Sequence, residues 1–200
     1  MKTHSSRADP FGFYYDPSPE QNLSRPVIVC SFFGCGGSNV AKRVAALGGW
    51  PHIDIYEQTA HTLGEHRALS GISLENPDWA RHEERLIERA IHGQPHAIIG
   101  LTDGYLPDDR ILDLIRRCTD VVTIELDWLS LQERLLDEIE SEPERLPEFI
   151  EQEVPDLHTL QILYKQRAAL YAQATIPMDA KGCSPSIVAH RVTAAIKSLS

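Results

Sequence analysis

Within this chain of 200 residues, the segment Ser31-Phe-Phe-Gly-Cys-Gly-Gly-Ser38 gathers the residues best suited to chemistry. Gly34, Gly36 and Gly37 let successive backbone N–H groups turn toward one point, and a helix opening there adds about half a positive charge. Such a turn binds phosphate or another small anion. The plainer reading of the same residues is a tight strand-to-helix turn. Cys35 sits just ahead of the helix, a position that lowers a thiol's pKa and favours a nucleophile. No base lies near it in sequence, and seven residues separate it from Arg43, which is not the C-x₅-R spacing of cysteine phosphatases. The nine histidines include the close pairs His61/His66 and His92/His96. The second pair straddles Gly93 and Pro95 and no H-E-x-x-H occurs, so the histidines read as surface or capping residues. Lys42 and Arg43 follow the loop by a full helical turn and read as surface charges.

What positions this loop is an alternation of strand and helix. Val27 to Phe33 is a continuous β-branched and aromatic run, the mark of a strand buried on both faces, and the helix after the loop runs through Ala46. A short strand over Ile53 to Ile55 and a short helix over Tyr56 to Arg67 come next. Asn76-Pro77-Asp78 opens a long amphipathic helix to about His92, with Trp79, Leu86, Ile87 and Ala90 at helical spacing. Strands follow at His96 to Leu101 and Asp120 to Leu126, with a helix over Asp108 to Arg117 between them. Helices at Ser130 to Glu140 and Leu157 to Ala172, a strand near Thr175 to Met178 and a helix from Ser184 to Leu199 complete the series. Joined by right-handed crossovers, these make a doubly wound α/β domain, a parallel sheet flanked by helices in three layers. Its ligand is expected beyond the carboxyl ends of the strands, where loop 31–38 lies. Ahead of Pro26 the chain changes character: Asp9 to Pro19 holds three prolines among Phe11, Phe13, Tyr14 and Tyr15. Residues 1–25 read as an arm that docks on this domain or on a neighbouring subunit, with a disordered leader as the alternative.

The loop fits the phosphate-loop pattern G-x-x-x-x-G-K-[ST] at Gly36 and Ser38, but has Ser31 in place of the first glycine and Gly37 in place of the lysine. The order of elements from about Pro26 to the end resembles shikimate kinase, a family of small P-loop kinases. The residues that carry the resemblance are Gly34-Cys-Gly-Gly-Ser38, Asp54-Ile-Tyr56, Trp79-Ala80, Thr102-Asp-Gly104 and Arg167-Ala-Ala-Leu-Tyr171. They stand where the family has G-x-x-G-x-G-K-S, D-x-D, F-R, G-G-G and R-x-P-L-Y. The resemblance implies a three-layer P-loop kinase-like domain over residues 26–200 with a lid segment. It implies ATP and Mg²⁺ as cofactors, with Ser38 and Asp54 at the metal and Gly34, Cys35, Gly36, Gly37, Ser38 and Arg134 around the nucleotide. Tyr56, Gly104 and Arg167 fall at the substrate, and Asp54 and Asp103 are the candidate catalytic carboxylates.

Several of these positions depart from the family. The loop lysine neutralises transferred phosphate, and Gly37 cannot. Tyr56 stands for a substrate-binding carboxylate and Ala80 for an arginine. Asp103 replaces a glycine whose backbone approaches the sugar acid. The lid region, Asp137 to Asp156, holds nine acidic residues against the one base Arg145, so it is no phosphate clamp, and a solvated face is its plainer reading. Arg134 falls near the position that stacks on adenine in the family, and its plainer reading is a salt-bridge partner on an amphipathic helix. These departures leave ATP and Mg²⁺ weakly held.

Composition bounds the partners. Nineteen Lys and Arg against twenty-nine Asp and Glu give a net charge of −10, which argues against nucleic acid and anionic membranes. No apolar run reaches the roughly 20 residues that span a bilayer, and Met1 to Pro10 does not resemble a secretion signal. Cys30, Cys35, Cys118 and Cys183 form no CxxC pair and are expected as thiols in the cytoplasm. The expected function is that of a degenerate family member, inactive as a kinase, which holds a small anionic ligand in the loop cleft. It would act in binding, regulation or scaffolding, with the arm serving a homo-oligomer or a protein partner. The alternative is a repurposed phosphotransferase or another enzyme using Ser38, Asp54, Asp103 and Arg167. Restoring the lysine by Gly37→Lys is expected to strengthen nucleotide or pyrophosphate binding.

Overall fold

The computed structural model describes residues 23–63, 77–103, 105, 107–141 and 157–199. Five strands form one parallel sheet: β1 (Val27–Ser31), β2 (His52–Asp54), β3 (Ile98–Gly100), β4 (Asp120–Glu125) and β5 (Ile176–Asp179), in the order β2-β3-β1-β4-β5. The helices are α1 (Gly37–Gly48), α2 (Ile55–Leu63), α3 (Pro77–Gly93), α4 (Asp109–Cys118), α5 (Trp128–Ser141), α6 (Leu157–Gln166), α7 (Ala168–Tyr171) and α8 (Pro185–Leu199). The expected three-layer α/β arrangement with a parallel sheet is the arrangement found. No helix among the described residues is long and apolar enough to cross a membrane.

Every residue of β1 is buried, as its unbroken apolar run requires, and its side chains alternate between two cores. Val27 and Val29 face a core built with Val40, Ala41 and Val44 of α1, Leu131 and Leu135 of α5, and Val188 and Val192 of α8. Ile28 and Cys30 face the other, built with Ile87 and Ile91 of α3 and Ile111 and Ile115 of α4. The central β1 is flanked by β3 on one side and β4 on the other, which is the switch point where α/β sheets open a ligand crevice. Val29 pairs with Gly100, so Ser31, two residues on, comes level with the start of the loop after β3.

The strand and helix boundaries differ from the sequence expectation in instructive places. β1 stops at Ser31 rather than Phe33, because the chain turns there and the Cys35 N–H donates to the Phe32 carbonyl at 3.1 Å. The helix expected over Leu157 to Ala172 breaks at Arg167, whose N–H bonds three residues back to Tyr164 while its side chain turns into the interior. Of the expected arm, residues 1–22 lie outside the described residues. Its end is held: Leu23 is buried, its carbonyl lies 2.7 Å from His96 Nδ1, and Arg25 pairs with Asp120 at 3.9 Å.

Candidate functional site

A hydrogen bond joins the end of β1 to the loop that leaves β3. Ser31 Oγ donates to Asp103 Oδ1 at 2.5 Å. Gly37, the first residue of α1, lies against this pair. A Cβ added to it would stand 2.2 Å from Ser31 Oγ, 2.7 Å from Ser31 Cβ and 3.5 Å from Asp103 Oδ1. The space in which a residue-37 side chain would leave the helix is therefore taken by the serine hydroxyl, and the charge beside it is a carboxylate. This changes the expectation for Gly37→Lys, because an added side chain must first displace Ser31.

The loop backbone keeps the bend that its glycines predict. Gly34 and Gly36 have φ of 74° and 77°, in the left-handed region that other residues enter only with strain. Gly36 caps α1 and, having no side chain, makes no cap hydrogen bond to the first turn of that helix. Asp108 by contrast caps α4 by accepting from the Ile111 N–H at 2.7 Å. Gly34 and Ser38 are half-buried on the loop. Arg134 reaches over from α5 and donates to the Gly34 carbonyl at 3.2 Å, a tie to the loop itself rather than an ion pair.

Phe32, Phe33 and Cys35 point into the core. Burial pushes the Cys35 thiol up to about 12, and the negative field of Asp103 adds to it. The expectation of a lowered thiol pKa is thereby corrected: desolvation outweighs the pull of the helix start, and the residue is a core side chain. Lys42 and Arg43 are exposed, as expected.

Arg167 is the largest polar side chain brought to this interior, at 1% exposure. Its Nη1 donates to the Leu163 carbonyl at 2.7 Å, and the guanidinium carbon lies 5.2 Å from the Phe32 ring centre and 5.6 Å from that of Phe33. Nε and Nη2 are buried without a hydrogen-bond partner among the described residues. Burial pushes the guanidinium down to about 10, against the fields of Tyr171 and Asp103. Ser31, Gly37, Asp103, Cys35 and Arg167 thus share one interior.

Asp54 and Tyr56 lie at the end of β2 and the start of α2. Asp54 ends β2 and accepts from the Glu57 N–H at 3.0 Å, which makes it a cap for α2. Burial raises its carboxyl above the ordinary value, and the Glu57 N–H opposes that rise. The Tyr56 ring lies 5.8 Å from that of Trp79, at 41°. Gly104 and the lid stretch 142–156 lie outside the described residues. No group of three or more metal-ligating His, Cys, Asp or Glu side chains occurs among the described residues.

The sequence did not single out Glu83. It is fully buried on α3, accepts a very short hydrogen bond from the Thr102 hydroxyl, and lies beside the Trp79 indole. Burial pushes its carboxyl up to about 7, with the Thr102 and Trp79 donors working the other way. Tyr105 is buried close by, and its N–H bonds to the Thr102 carbonyl at 3.0 Å. A signal was present: the apolar stripe through Trp79, Ile87 and Ala90 passes through position 83, where it meets a carboxyl at i+4 from the tryptophan.

The side chains around loop 31–38 do not fit a magnesium nucleotide held in the usual way. The Ser38 hydroxyl is present, but Asp54 is turned to α2, no side chain leaves residue 37, and Asp103 sets a negative charge beside the loop. The fold nevertheless has many solved counterparts. A shikimate kinase from Acinetobacter baumannii in complex with shikimate is 17% identical, with a TM-score of 0.72 over 92% of this chain and 98% of that one. Shikimate kinase from Bacteroides thetaiotaomicron is 13% identical, with a TM-score of 0.70 over 88% and 97%. A gluconokinase from Sinorhizobium meliloti 1021 is 12% identical, with a TM-score of 0.58 over 89% and 94%. No curated protein sequence gives a significant match. The family described as shikimate kinase matches residues 33–197, from within the glycine loop into α8, and the chain belongs to that family.

Proposed function

We propose that this member of the shikimate kinase family does not phosphorylate shikimate at a rate useful to a pathway, and that it works by binding, in regulation or scaffolding. The observation that carries this is the Ser31–Asp103 hydrogen bond laid against Gly37. Phosphoryl transfer depends on positive charge over the transferred group, and here a hydroxyl and a carboxylate occupy the place from which a lysine would reach it. Losing one well-aimed charged contact typically slows such a reaction by roughly 10²-fold or more. The test is a coupled assay with Mg²⁺-ATP and shikimate on the purified full chain. Turnover in the common range of about 1 to 10³ per second would overturn the proposal.

The arm belongs to the same proposal. Phe11, Phe13, Tyr14 and Tyr15 are apolar enough to dock on this domain or on a second copy, and Leu23, which follows them, is already packed in the core. Deleting residues 1–20 is expected to lower the melting temperature or to shift the mass by light scattering toward monomer. Unchanged melting and mass would return these residues to a leader without a partner.

One observation favours an enzymatic alternative on the same scaffold. A buried carboxyl raised to about 7 is the kind of group that acid–base chemistry uses, and Glu83 is joined to the segment that carries Asp103. Under that alternative, ATP is consumed with some other small hydroxylated acceptor, and Glu83→Gln abolishes the consumption.

A further inference from the structure

We infer that Asp103 serves as an internal anion for the loop, its carboxylate pinned by the Ser31 hydroxyl beside the first residue of α1, so that the chain closes its own phosphate site. The inference rests on the proposed function and gives it a physical cause. The start of α1 carries partial positive charge, and its cap, Gly36, has no side chain with which to accept from it. Asp103 Oδ1 lies 3.5 Å from the point at which a Cβ of residue 37 would stand, so a fixed negative charge sits at that helix start. An independent observation also points to an anion in this interior. Arg167 is 1% exposed, its Nε and Nη2 are buried without a hydrogen-bond partner among the described residues, and it lies within the field of Asp103. Asp103 supplies negative charge at the helix start, and its field reaches the guanidinium without a hydrogen bond to Nε or Nη2. A phosphate brought to the loop then meets a like charge at close range in partly desolvated surroundings, where repulsion is strong.

The test is calorimetric titration of the full chain with inorganic pyrophosphate, without metal, at low salt. Asp103→Asn keeps the size of the side chain and an acceptor for Ser31 while removing the charge. It is expected to bind pyrophosphate at least about tenfold more tightly than the wild type. Ser31→Ala, which releases the carboxylate without removing it, is expected to give a smaller gain. Melting curves establish that each variant is folded, and Asp103→Ser carries the same test if Asp103→Asn is not. A folded, uncharged variant that titrates like the wild type overturns the inference. So does a wild type that already binds pyrophosphate as tightly as its variants. Wild-type turnover of shikimate overturns the proposed function instead, whereas an inert wild type with non-binding variants removes only the role given to Asp103.

Discussion

The loops after β1 and β3 end side by side at the same edge of the sheet, and they are filled in opposite ways. The first has Phe32, Phe33 and Cys35 in the core, with ring contacts of 4.9 Å between the two phenylalanines and 5.3 Å from Phe32 to Tyr164 of α6. The second has Thr102 and Asp103, with the carboxyl of Glu83 buried against them. Apolar burial at the first stabilises the domain, whereas a carboxyl kept away from water at the second destabilises it at neutral pH. The glycine turn after β1 thus packs its apolar side chains into the core, and a buried carboxyl lies at the neighbouring loop.

The largest effect expected is on the first loop. Phe32→Ala removes a ring at 1% exposure, its edge contacts to Phe33 and Tyr164, and the face on which the Arg167 guanidinium lies. The expected loss is about 3–5 kcal/mol in denaturant unfolding, as for other buried aromatic truncations. A loss below about 1 kcal/mol would mean that the loop is an appendage and that the comparison between the two loops fails.

The second loop should reveal itself through pH. Glu83 has its carboxyl raised from an ordinary 4.5 to about 7, so the folded state holds this proton more tightly than the unfolded chain does. Its contribution is fully present below about pH 4.5 and is lost as the pH rises through about 7, a fall of about 3 kcal/mol. Glu83→Gln removes that dependence. The variant is expected to match the wild type near pH 4.5 and to exceed it by about 3 kcal/mol at pH 8. Parallel stability curves for the two proteins would show that Glu83 keeps an ordinary carboxyl.

The two loops were not equally legible in the sequence. The alternation of strand and helix, the all-buried β1 and the glycine turn are local patterns, and each was readable from residue types alone. The substitutions at Gly37 and Asp103 were also visible, but their relation was not. Ser31 stands six residues before Gly37 in sequence, yet its hydroxyl fills the space beside that glycine only because the chain folds back at Phe32 to Gly34. Cys35 misled for a related reason: its place ahead of a helix is a local fact, whereas its burial depends on the packing of α5 and α6. Glu83 lies on the apolar stripe of α3, but its partner Thr102 stands 19 residues away in sequence, so the role of the carboxyl emerges only from the fold.

Arg134 offers a smaller probe of the first loop. Its Nη1 donates to the Gly34 carbonyl across a gap of 100 residues in sequence, tying α5 to the turn. The bond is partly exposed, so Arg134→Ala is expected to cost about 1 kcal/mol, below the usual range for a charged donor. Hydrogen exchange should rise in the loop and the start of α1, with α3 unaffected. Equal changes at both loops would mean that they are one mechanical unit rather than two.

The smallest effect is expected from the surface tie on the side of the second loop. Arg110 of α4 pairs with Glu84 at 3.8 Å and makes a close contact with Glu88, both on α3, and its side chain is 58% exposed. Ion pairs in such settings gain little, because water already screens the charges and two flexible side chains must be held in place. Arg110→Ala should therefore lower stability by less than about 1 kcal/mol, and the difference should shrink further at high salt. If α3 is held mainly by its buried face, through Trp79, Glu83 and Ile87, the pH dependence assigned to Glu83 should persist unchanged in Arg110→Ala. A loss above about 2 kcal/mol, or a flattened pH profile, would place the anchoring of α3 at its surface and take it away from the buried carboxyl.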